Sequence, residues 1–443
     1  MVSADSYAEK DEKYCLYGIG MPKGVLPPVF VEGYGAIIKD INGKEYLDMI
    51  GQTSGVNSIG HAHPKVIAAV KKQLDASLVH SFTSNVNLPR TELAEKLAKI
   101  APGDMRDNCR TLFSSGGSEA NEVALKFSMI AKKKHDIISL YRAYHGDTLA
   151  LMSLIGQSYW RNQPLFPMPG FPGFHQIPDA YCYRCYFGKS YPDCDFECAR
   201  ILEHQIMYGS TNVAAFIFEP IQGNGGVITP PSKEYFKIIR EICEKHNVLR
   251  IADEVQTGTG KTGRYWASDY FDIRPDIVTT AKGMGSGFPI SATMIKSDVV
   301  PEDLPDKHWH VFTYGGSPLV CAAASAVVDV VTQEKLTDRA RELGARIRKH
   351  LNDMARNQRM IGDIRGAGVF LGVELVKDTR TKEPAIAEAE EAIVKTREKG
   401  LLLGISGKPG YGNVLEIRAP LVTTDEQADR AIEILDSVLR DQA

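Results

Sequence analysis

The middle of the chain alternates short apolar runs with helical segments, and this alternation limits the fold more than any other feature. Four runs have the length and uniform hydrophobicity of strands that are buried on both faces. They are residues 137–140, 213–218, 248–252 and 277–280, and the segment 233–246 between two of them has helical periodicity. We therefore predict an α/β fold with a mostly parallel sheet covered by helices.

The two ends of the chain predict a smaller lobe. A short β-meander is predicted over 24–48, one long helix over 319–354, strands over 369–375 and 414–417, and helices over 385–399 and 425–441. We expect residues 1–70 to belong to this small lobe, 71–318 to form the large domain, and 319–443 to form a C-terminal α+β domain.

Charge and composition exclude several classes of protein. The 443 residues include 52 Lys and Arg against 55 Asp and Glu, so the net charge is −3 and no basic footprint for nucleic acid is present. The first residues lack the apolar core of a signal peptide, and no apolar run approaches the roughly 18 residues of a membrane helix. We therefore predict a cytoplasmic protein that acts on small molecules.

Reactive side chains follow the predicted strands in turn. Tyr144 and His145 come after the first run, Glu219 after the second, Asp253 after the third and Lys282 after the fourth. Open parallel sheets bind ligands beyond the carboxyl ends of their strands. Desolvation in the glycine-rich loop after Lys282 would lower its pKa and make the amine a nucleophile. When this lysine is considered without the other residues, the alternative is a side chain at a strand end that extends its amine into water.

A glycine-serine turn at 114–118 precedes a predicted helix over 119–134. Backbone N–H groups at a helix N-terminus suit a phosphate, although a plain helix cap is the alternative. A phosphate cradle, the carboxylate of Asp253, the amine of Lys282 and the ring of Tyr144 are the parts that hold pyridoxal 5′-phosphate (PLP).

Eight motifs in this order resemble those of the class III aminotransferases, which are fold type I PLP enzymes. They are Gly60-His61-Ala62-His63-Pro64, Gly116-Gly117-Ser118-Glu119-Ala120-Asn121, Tyr144-His145-Gly146, Glu219-Pro220-Ile221-Gln222-Gly223, Asp253-Glu254-Val255-Gln256-Thr257-Gly258, Ala281-Lys282-Gly283, Thr313-Tyr314-Gly315-Gly316-Ser317-Pro318 and Gly366-Ala367-Gly368. The resemblance implies an aspartate aminotransferase-like fold with a seven-stranded sheet, and a homodimer or dimer of dimers with its active site at the interface.

The same resemblance implies a role for each cofactor residue. Lys282 would form the Schiff base and carry the proton, and Asp253 would pair with the pyridine nitrogen. Glu219 would support Asp253, with a structural salt bridge as its alternative role. The remaining cofactor contacts would come from Gly117 and Ser118 at the phosphate, Tyr144, His145 and Val255 around the ring, Gln256 at the ring hydroxyl, and Thr313 from the other subunit.

The expected substrate residues depart from those of relatives that use ω-amino acids or ornithine. Glu416 stands where those enzymes usually place an arginine for the substrate carboxylate, and Arg418 follows two residues later on the same face of a strand. Asn224 replaces a glutamate, and Ser54 replaces the glutamine of dialkylglycine decarboxylase. One substrate is therefore expected to lack a carboxylate at that end or to carry an amine. Alternatively, Glu416 pairs with a nearby cation and another arginine binds the acceptor.

The predicted activity is transfer of an amino group from an amine or a β- or ω-amino compound to a 2-oxo acid, pyruvate or 2-oxoglutarate, in a ping-pong cycle. A racemase or epimerase, a decarboxylase, a lyase and an aminotransferase for aminoacyl thioesters remain alternatives on the same fold.

Four cysteines, Cys182, Cys185, Cys194 and Cys198, are compatible with zinc, with reduced thiols or with disulfides. We predict reduced thiols and no metal.

Overall fold

The computed structural model describes residues 4–16, 28–157, 162–163, 166–167, 170–406 and 412–442. The helices are α1 Ala4–Tyr14, α2 Pro64–Asp75, α3 Leu88–Lys99, α4 Gly117–Lys132, α5 Leu149–Met152, α6 Glu197–His204, α7 Glu234–His246, α8 Ala267–Tyr270, α9 Pro318–Gln333, α10 Leu336–Ala355, α11 Ile386–Glu398 and α12 Asp425–Arg440. The strands are β1 Phe30–Tyr34, β2 Ile37–Asp40, β3 Glu45–Asp48, β4 Cys109–Ser114, β5 Asp136–Leu140, β6 Asn162–Gln163, β7 Phe166–Pro167, β8 Phe174–Ile177, β9 Val213–Phe218, β10 Leu249–Asp253, β11 Ile277–Thr280, β12 Ser291–Lys296, β13 Ile361–Ala367, β14 Phe370–Leu375, β15 Leu401–Leu402, β16 Gly404–Ser406 and β17 Val414–Arg418.

A seven-stranded sheet forms the centre of the molecule, in the order β4-β12-β11-β10-β9-β5-β8. Strand β12 is antiparallel to both of its neighbours, and the other neighbouring pairs are parallel. All residues of β9 and β10 are buried, as their apolar sequences predict. The predicted mostly parallel sheet is confirmed, and its order places the ends of β10 and β11 side by side.

The small lobe joins both ends of the chain. Strands β13, β14, β17 and β16 form an antiparallel sheet, while β1, β2 and β3 form another sheet that β15 completes. One apolar core combines side chains of this N-terminal segment with those of the C-terminal strands and helices. Helix α9 contributes to that core and to the core of the large domain. The domain boundaries at residues 70 and 318 stay a prediction that this shared core supports.

Two predictions for the C-terminal part need correction. The single helix over 319–354 is two helices, because Lys335 adopts a left-handed conformation (φ 53°) between α9 and α10. Strand β13 was not predicted, since half-buried polar residues and a bulge near Asp363 hide its alternation. The meander is confirmed from Phe30 onward, and residues 24–27 lie outside the described residues.

Helix α4 begins two residues before its predicted start and ends at Lys132, since Lys133 is left-handed. The helices predicted over 385–399 and 425–441 match α11 and α12 within one residue at each end.

In the described part of the chain, no helix has the length and apolar character to cross a bilayer.

Candidate active site

A cleft of about 360 Å³ opens at the carboxyl ends of the central strands. Its wall brings together nine of the residues predicted for the cofactor site. They are Gly117, Ser118, Tyr144, His145, Glu219, Asp253, Val255, Gln256 and Lys282. Because these residues lie up to 165 positions apart in sequence, the strand order of the sheet is what assembles them.

Asp253 ends β10 and is only 3% exposed. Three polar groups contact its carboxylate. Oδ2 accepts a hydrogen bond from Asn121 Nδ2 at 2.8 Å and lies 2.8 Å from Nδ1 of His145. Oδ1 accepts one from the backbone N–H of Val255 at 3.1 Å. This carboxylate is therefore fixed in orientation and can hold a proton on a ring nitrogen that faces it.

Asn121 belongs to the site, although sequence reasoning did not assign it a role. Its carbonyl oxygen accepts a hydrogen bond from Thr279 at 2.6 Å, and its amide also donates to the backbone oxygen of His145 at 2.6 Å. The available signal was a polar residue on the buried part of α4, where Ala120 and Val123 nearby are apolar.

Lys282 follows β11 in a short turn where its backbone is left-handed, with φ of +40°. Burial is the main cause that lowers the pKa of its amine to about 8, and the charge of Arg418 contributes to the same shift. A minority of the amine is therefore already uncharged near neutral pH and can act as a nucleophile and proton carrier.

Glu219 directly follows β9 and contacts two backbone segments. Its Oε1 accepts a hydrogen bond from the N–H of Tyr144 at 3.0 Å, and its Oε2 accepts one from the N–H of Gly223 at 2.8 Å. Burial raises the pKa of Glu219 to about 7, and the negative charge of Asp253 opposes its ionisation as well. Glu219 therefore positions the Tyr144 loop, and a proton can enter or leave it near neutral pH.

The N-terminus of α4 faces the same cleft and has no side chain capping it. A Cβ atom on Gly117 would lie 2.9 Å from Cγ1 of Val255, so only glycine fits there without displacing that side chain. Ser118 accepts a hydrogen bond from the N–H of Asp147 at 3.3 Å, which orders the turn. Free N–H groups and the helix dipole make this end of α4 suited to a phosphate.

Two buried polar atoms of the cleft residues have no hydrogen-bond partner within the described residues: Nε2 of His145 and Oε1 of Gln256. A buried amide oxygen without a partner costs free energy unless a ligand donates to it. A ring hydroxyl, a ring nitrogen and a phosphate would find partners in Gln256, Asp253 and α4, so the residues fit PLP. When bound, this cofactor supplies an electron sink for carbanions beside the reacting amine.

The predicted substrate residues lie near this cleft rather than in its wall. Asn224 accepts a hydrogen bond from Gln256 Nε2 at 3.2 Å, and Ser54 lies half-buried in the turn at 51–55. Nη2 of Arg418 lies 2.8 Å from Oε2 of Glu416, and Ser406 donates to the same carboxylate. Glu416 is thus paired with a cation, which was the second of the two interpretations.

Thr313 is exposed and does not line the cleft of its own chain. This placement is compatible with its predicted role in the site of another subunit.

The four clustered cysteines surround one small pocket, and all of them are free. Burial, followed by the charge of the neighbouring cysteines, raises the pKa of Cys198 to about 12, so this thiol stays protonated. Among the described residues, no group of three or more His, Cys, Asp or Glu side chains is arranged to hold a metal ion. The absence of a metal stays a prediction, and metal analysis of protein purified without chelator tests it.

Known proteins are similar to this chain in both sequence and fold. The family model described as aminotransferase class-III matches residues 21–439. A 5-aminovalerate aminotransferase of Pseudomonas aeruginosa is 36% identical over 94% of this chain and 95% of its own length. A leucine/methionine racemase of Thermococcus litoralis is 35% identical over 94% of this chain and 91% of its own.

An aminotransferase of Vibrio fluvialis, solved in a PMP-bound form, superimposes with a TM-score of 0.89. It is 29% identical, and the match covers 98% of each chain. Since the family model spans nearly the whole sequence and the cleft holds the residues for its cofactor, this chain belongs to the class III aminotransferases, which are PLP-dependent transaminases.

Proposed function

We propose that this enzyme takes the amino group of an amine or of a β- or ω-amino compound and delivers it to a 2-oxo acid such as pyruvate or 2-oxoglutarate. The observation that carries the proposal is the buried pair of Glu416 and Arg418. Because Glu416 already neutralises this arginine, a donor carboxylate beside the reacting amine would have to displace it. Donors without a carboxylate at that end avoid this cost.

The acceptor half of the cycle uses the same pair. Beyond its 2.8 Å contact with Glu416, the guanidinium of Arg418 makes no hydrogen bond to the described residues. A 2-oxo acid brings a carboxylate that must displace Glu416 from Arg418, so the acceptor half-reaction bears the cost that a donor without a carboxylate avoids. Asn224 and Ser54 would complete the substrate side, with Asn224 held by Gln256.

Each cleft residue then has a defined task in the reaction. Lys282 would accept and return the proton of the substrate carbon, because burial lowers the pKa of its amine to about 8. Asp253, oriented by Asn121 and His145, would keep a proton on the ring nitrogen of the cofactor. Glu219 fixes the loop of Tyr144 through the backbone N–H of that residue.

A panel of donors and acceptors tests the substrate proposal. Amines, diamines, α-, β- and ω-amino acids and aminoacyl thioesters are each offered with pyruvate or 2-oxoglutarate, and the amino product is measured. We expect compounds without an α-carboxylate to be the better donors. Preference for a free α-amino acid would overturn the argument from Glu416.

Two variants separate the halves of the cycle. Arg418→Met should raise the KM for the 2-oxo acid while the KM for an amine donor stays near its wild-type value. Lys282→Ala should abolish both half-reactions and change the visible absorbance of the loaded enzyme. A visible band that is unchanged in Lys282→Ala would refute the assignment of this lysine.

A second candidate is an amino-acid racemase, because the leucine/methionine racemase relative is 35% identical over most of both chains. The two activities differ in what accumulates without an acceptor. A transaminase incubated with donor alone converts its cofactor stoichiometrically to the amino form, whereas a racemase exchanges the α-hydrogen with solvent and keeps the cofactor unchanged. Spectra in deuterated buffer distinguish them.

We further propose a homodimer, or a dimer of dimers, in the cytoplasm. Exposed apolar side chains, among them Phe82 and Val86, lie in the segment 78–88, and Tyr314 lies beside His80 with ring centroids 5.5 Å apart. Burial of this surface by a second copy would bring Thr313 towards the other cleft. Light scattering measures the mass of the assembly. Thr313→Ala should weaken PLP binding without changing that mass. A monomeric holoenzyme would refute this arrangement.

A further inference from the structure

The turn at 51–55 has an unusual backbone. All five of its residues have a positive φ, and three of them are not glycine: Gln52 at 46°, Thr53 at 26° and Ser54 at 67°. A β-branched residue such as Thr53 rarely adopts this conformation, because its side chain crowds the backbone. Such a run persists only where neighbouring groups hold it, and backbone strain of this kind concentrates at ligand sites.

The turn lies beside the substrate residues of the cleft. Val56, which directly follows it, lines the cleft wall. A Cβ atom on Gly55 would lie 3.7 Å from Cβ of Arg418, and one on Gly51 would lie 3.4 Å from the backbone oxygen of the same arginine. The turn therefore packs along Arg418, and its shape sets the space next to the proposed carboxylate site.

Asp48 holds the start of the turn. Its side chain is wholly buried, and its carboxylate accepts hydrogen bonds from the backbone N–H of Ile50 at 3.2 Å and from that of Gln52 at 3.0 Å. The side-chain amide of Gln52 donates to the same carboxylate at 3.3 Å. Since a buried carboxylate needs several donors, its position fixes the N–H groups that lead into the turn.

The side chain of His61 joins the two ends of this segment. Its Nε2 lies 2.9 Å from Oδ2 of Asp48, and its Nδ1 lies 3.2 Å from Nδ2 of Asn57. The ring packs on Gly33, where a Cβ atom would lie 2.9 Å from Cγ of His61. A ring that donates from Nε2 and accepts at Nδ1 links the chain before the turn to the chain after it.

We propose that His61 is a positioning residue for the substrate, which holds Asp48 and Asn57 and thereby keeps the strained turn between them against Arg418. His61 is not part of the cleft wall. Loss of the ring should let the turn relax, because fewer donors then compensate the buried carboxylate. Substrate binding should weaken, whereas the cofactor contacts come from other segments and should stay intact. This inference rests on the proposed substrate role of Arg418.

The test compares two variants of this residue. His61→Leu removes both ring nitrogens, and His61→Gln has an amide that can still donate to Asp48. Single-turnover reactions of the amino form of the loaded enzyme with pyruvate and with 2-oxoglutarate give the apparent dissociation constant of each acid. We expect His61→Leu to raise this constant about tenfold and His61→Gln to recover most of the loss. The Kd for PLP, from titration of the apoprotein, should stay near its wild-type value in both.

His63→Leu is the matched control. The side chains of His63 and His61 are 12% and 11% exposed, but Nε2 of His63 faces Glu334 at 3.9 Å. Hydrogen exchange over residues 50–58, followed by mass spectrometry, should become faster in His61→Leu and stay unchanged in His63→Leu. If His61→Leu does not fold, Asn57→Ala removes only the outer link and should raise the same dissociation constants by a smaller factor.

Unchanged exchange and unchanged binding of both acids in His61→Leu would overturn the inference, and so would equal effects of His61→Leu and His63→Leu. Faster exchange without weaker binding would overturn it as well, because the turn would then serve the fold alone. A failure of the proposed function is distinct: if Arg418→Met binds both acids as the wild type does, Arg418 has no substrate role, whatever His61 does to the turn.

Discussion

The buried pair of Glu416 and Arg418 predicts an asymmetry between its two single variants. The side chain of Arg418 is wholly buried, and that of Glu416 is 6% exposed. Glu416→Gln leaves a guanidinium that stays charged at every accessible pH. Arg418→Met leaves a carboxylate that can take up a proton and become neutral.

The structure gives the expected sizes. Loss of one partner of a buried ion pair costs about 3–5 kcal/mol. Glu416→Gln should approach this value, since the remaining compensation among the described residues comes from the ring of Phe370, 4.6 Å from the guanidinium carbon, and from the charge of Glu219. Arg418→Met should cost roughly 1–3 kcal/mol at pH 7 because protonation relieves the remaining charge. The double variant should recover about 2 kcal/mol relative to Glu416→Gln.

The pH dependence has a definite sign. Burial raises the pKa of Glu416, and the charge of Arg418 opposes that rise, so removal of Arg418 raises the pKa further. A carboxyl group with a raised pKa in the folded state stabilises the protein below its unfolded pKa, and this stability is lost as pH rises through the folded pKa. The deficit of Arg418→Met should therefore shrink as pH falls from 7 towards 5.

Urea denaturation followed by circular dichroism measures these differences at fixed cofactor concentration. Asp429→Asn is the matched control, because its pair with Arg346 is partly exposed and should be worth less than about 1 kcal/mol. Equal costs for the two single variants, or a deficit of Arg418→Met that does not change with pH, would refute the argument.

Three further variants test the cofactor site. Asn121→Ala removes a donor to Asp253 and should raise the Kd for PLP about tenfold, as a hydrogen bond to a charged group is worth about 1.5–3 kcal/mol; an unchanged Kd in a titration of the apoprotein would contradict this. Gly117→Ala should displace Val255 into the cleft and weaken PLP binding by about 1–3 kcal/mol, and equal affinity would show that Val255 yields freely. Burial raises the pKa of Glu219 to about 7, so the wild-type free energy of unfolding should fall as pH rises from 4.5 to 7 relative to Glu219→Gln. Parallel pH profiles of these two proteins would contradict the last prediction.

The sheet could be predicted from local pattern, whereas the roles of the cofactor residues were predicted from the order of motifs that resemble one family. Uniformly apolar strands such as β9 predict burial on both faces, and Asp253 and Lys282 stand at or just beyond the ends of two such strands. The partner of Glu416 was left open, because alternation along a strand places Arg418 on its face without showing whether the two side chains meet. The burial of Lys261, which is 1% exposed, was not predicted at all. Its sequence neighbours are those of an ordinary polar loop, and its burial depends on Gly55 and Val369, which lie 206 and 108 residues away.

The reactivity of Lys282 is therefore a property of the assembled molecule. Three basic side chains whose pKa is lowered by burial lie in this part of the molecule: Lys282 after β11, Lys261 in the loop after β10, and Arg418 in strand β17. No single segment excludes water from all three, and the N-terminal turn at 51–58 closes the space beside Lys261. Since burial is the largest cause of the lowered pKa of Lys282, any change that opens the small lobe would return its amine towards the charged form. The backbone N–H of Val369 donates a hydrogen bond to the backbone oxygen of Lys261 at 2.9 Å. A substitution far from the cleft that loosens this contact should thus raise the pH at which Lys282 reacts, even though it touches neither cofactor nor substrate.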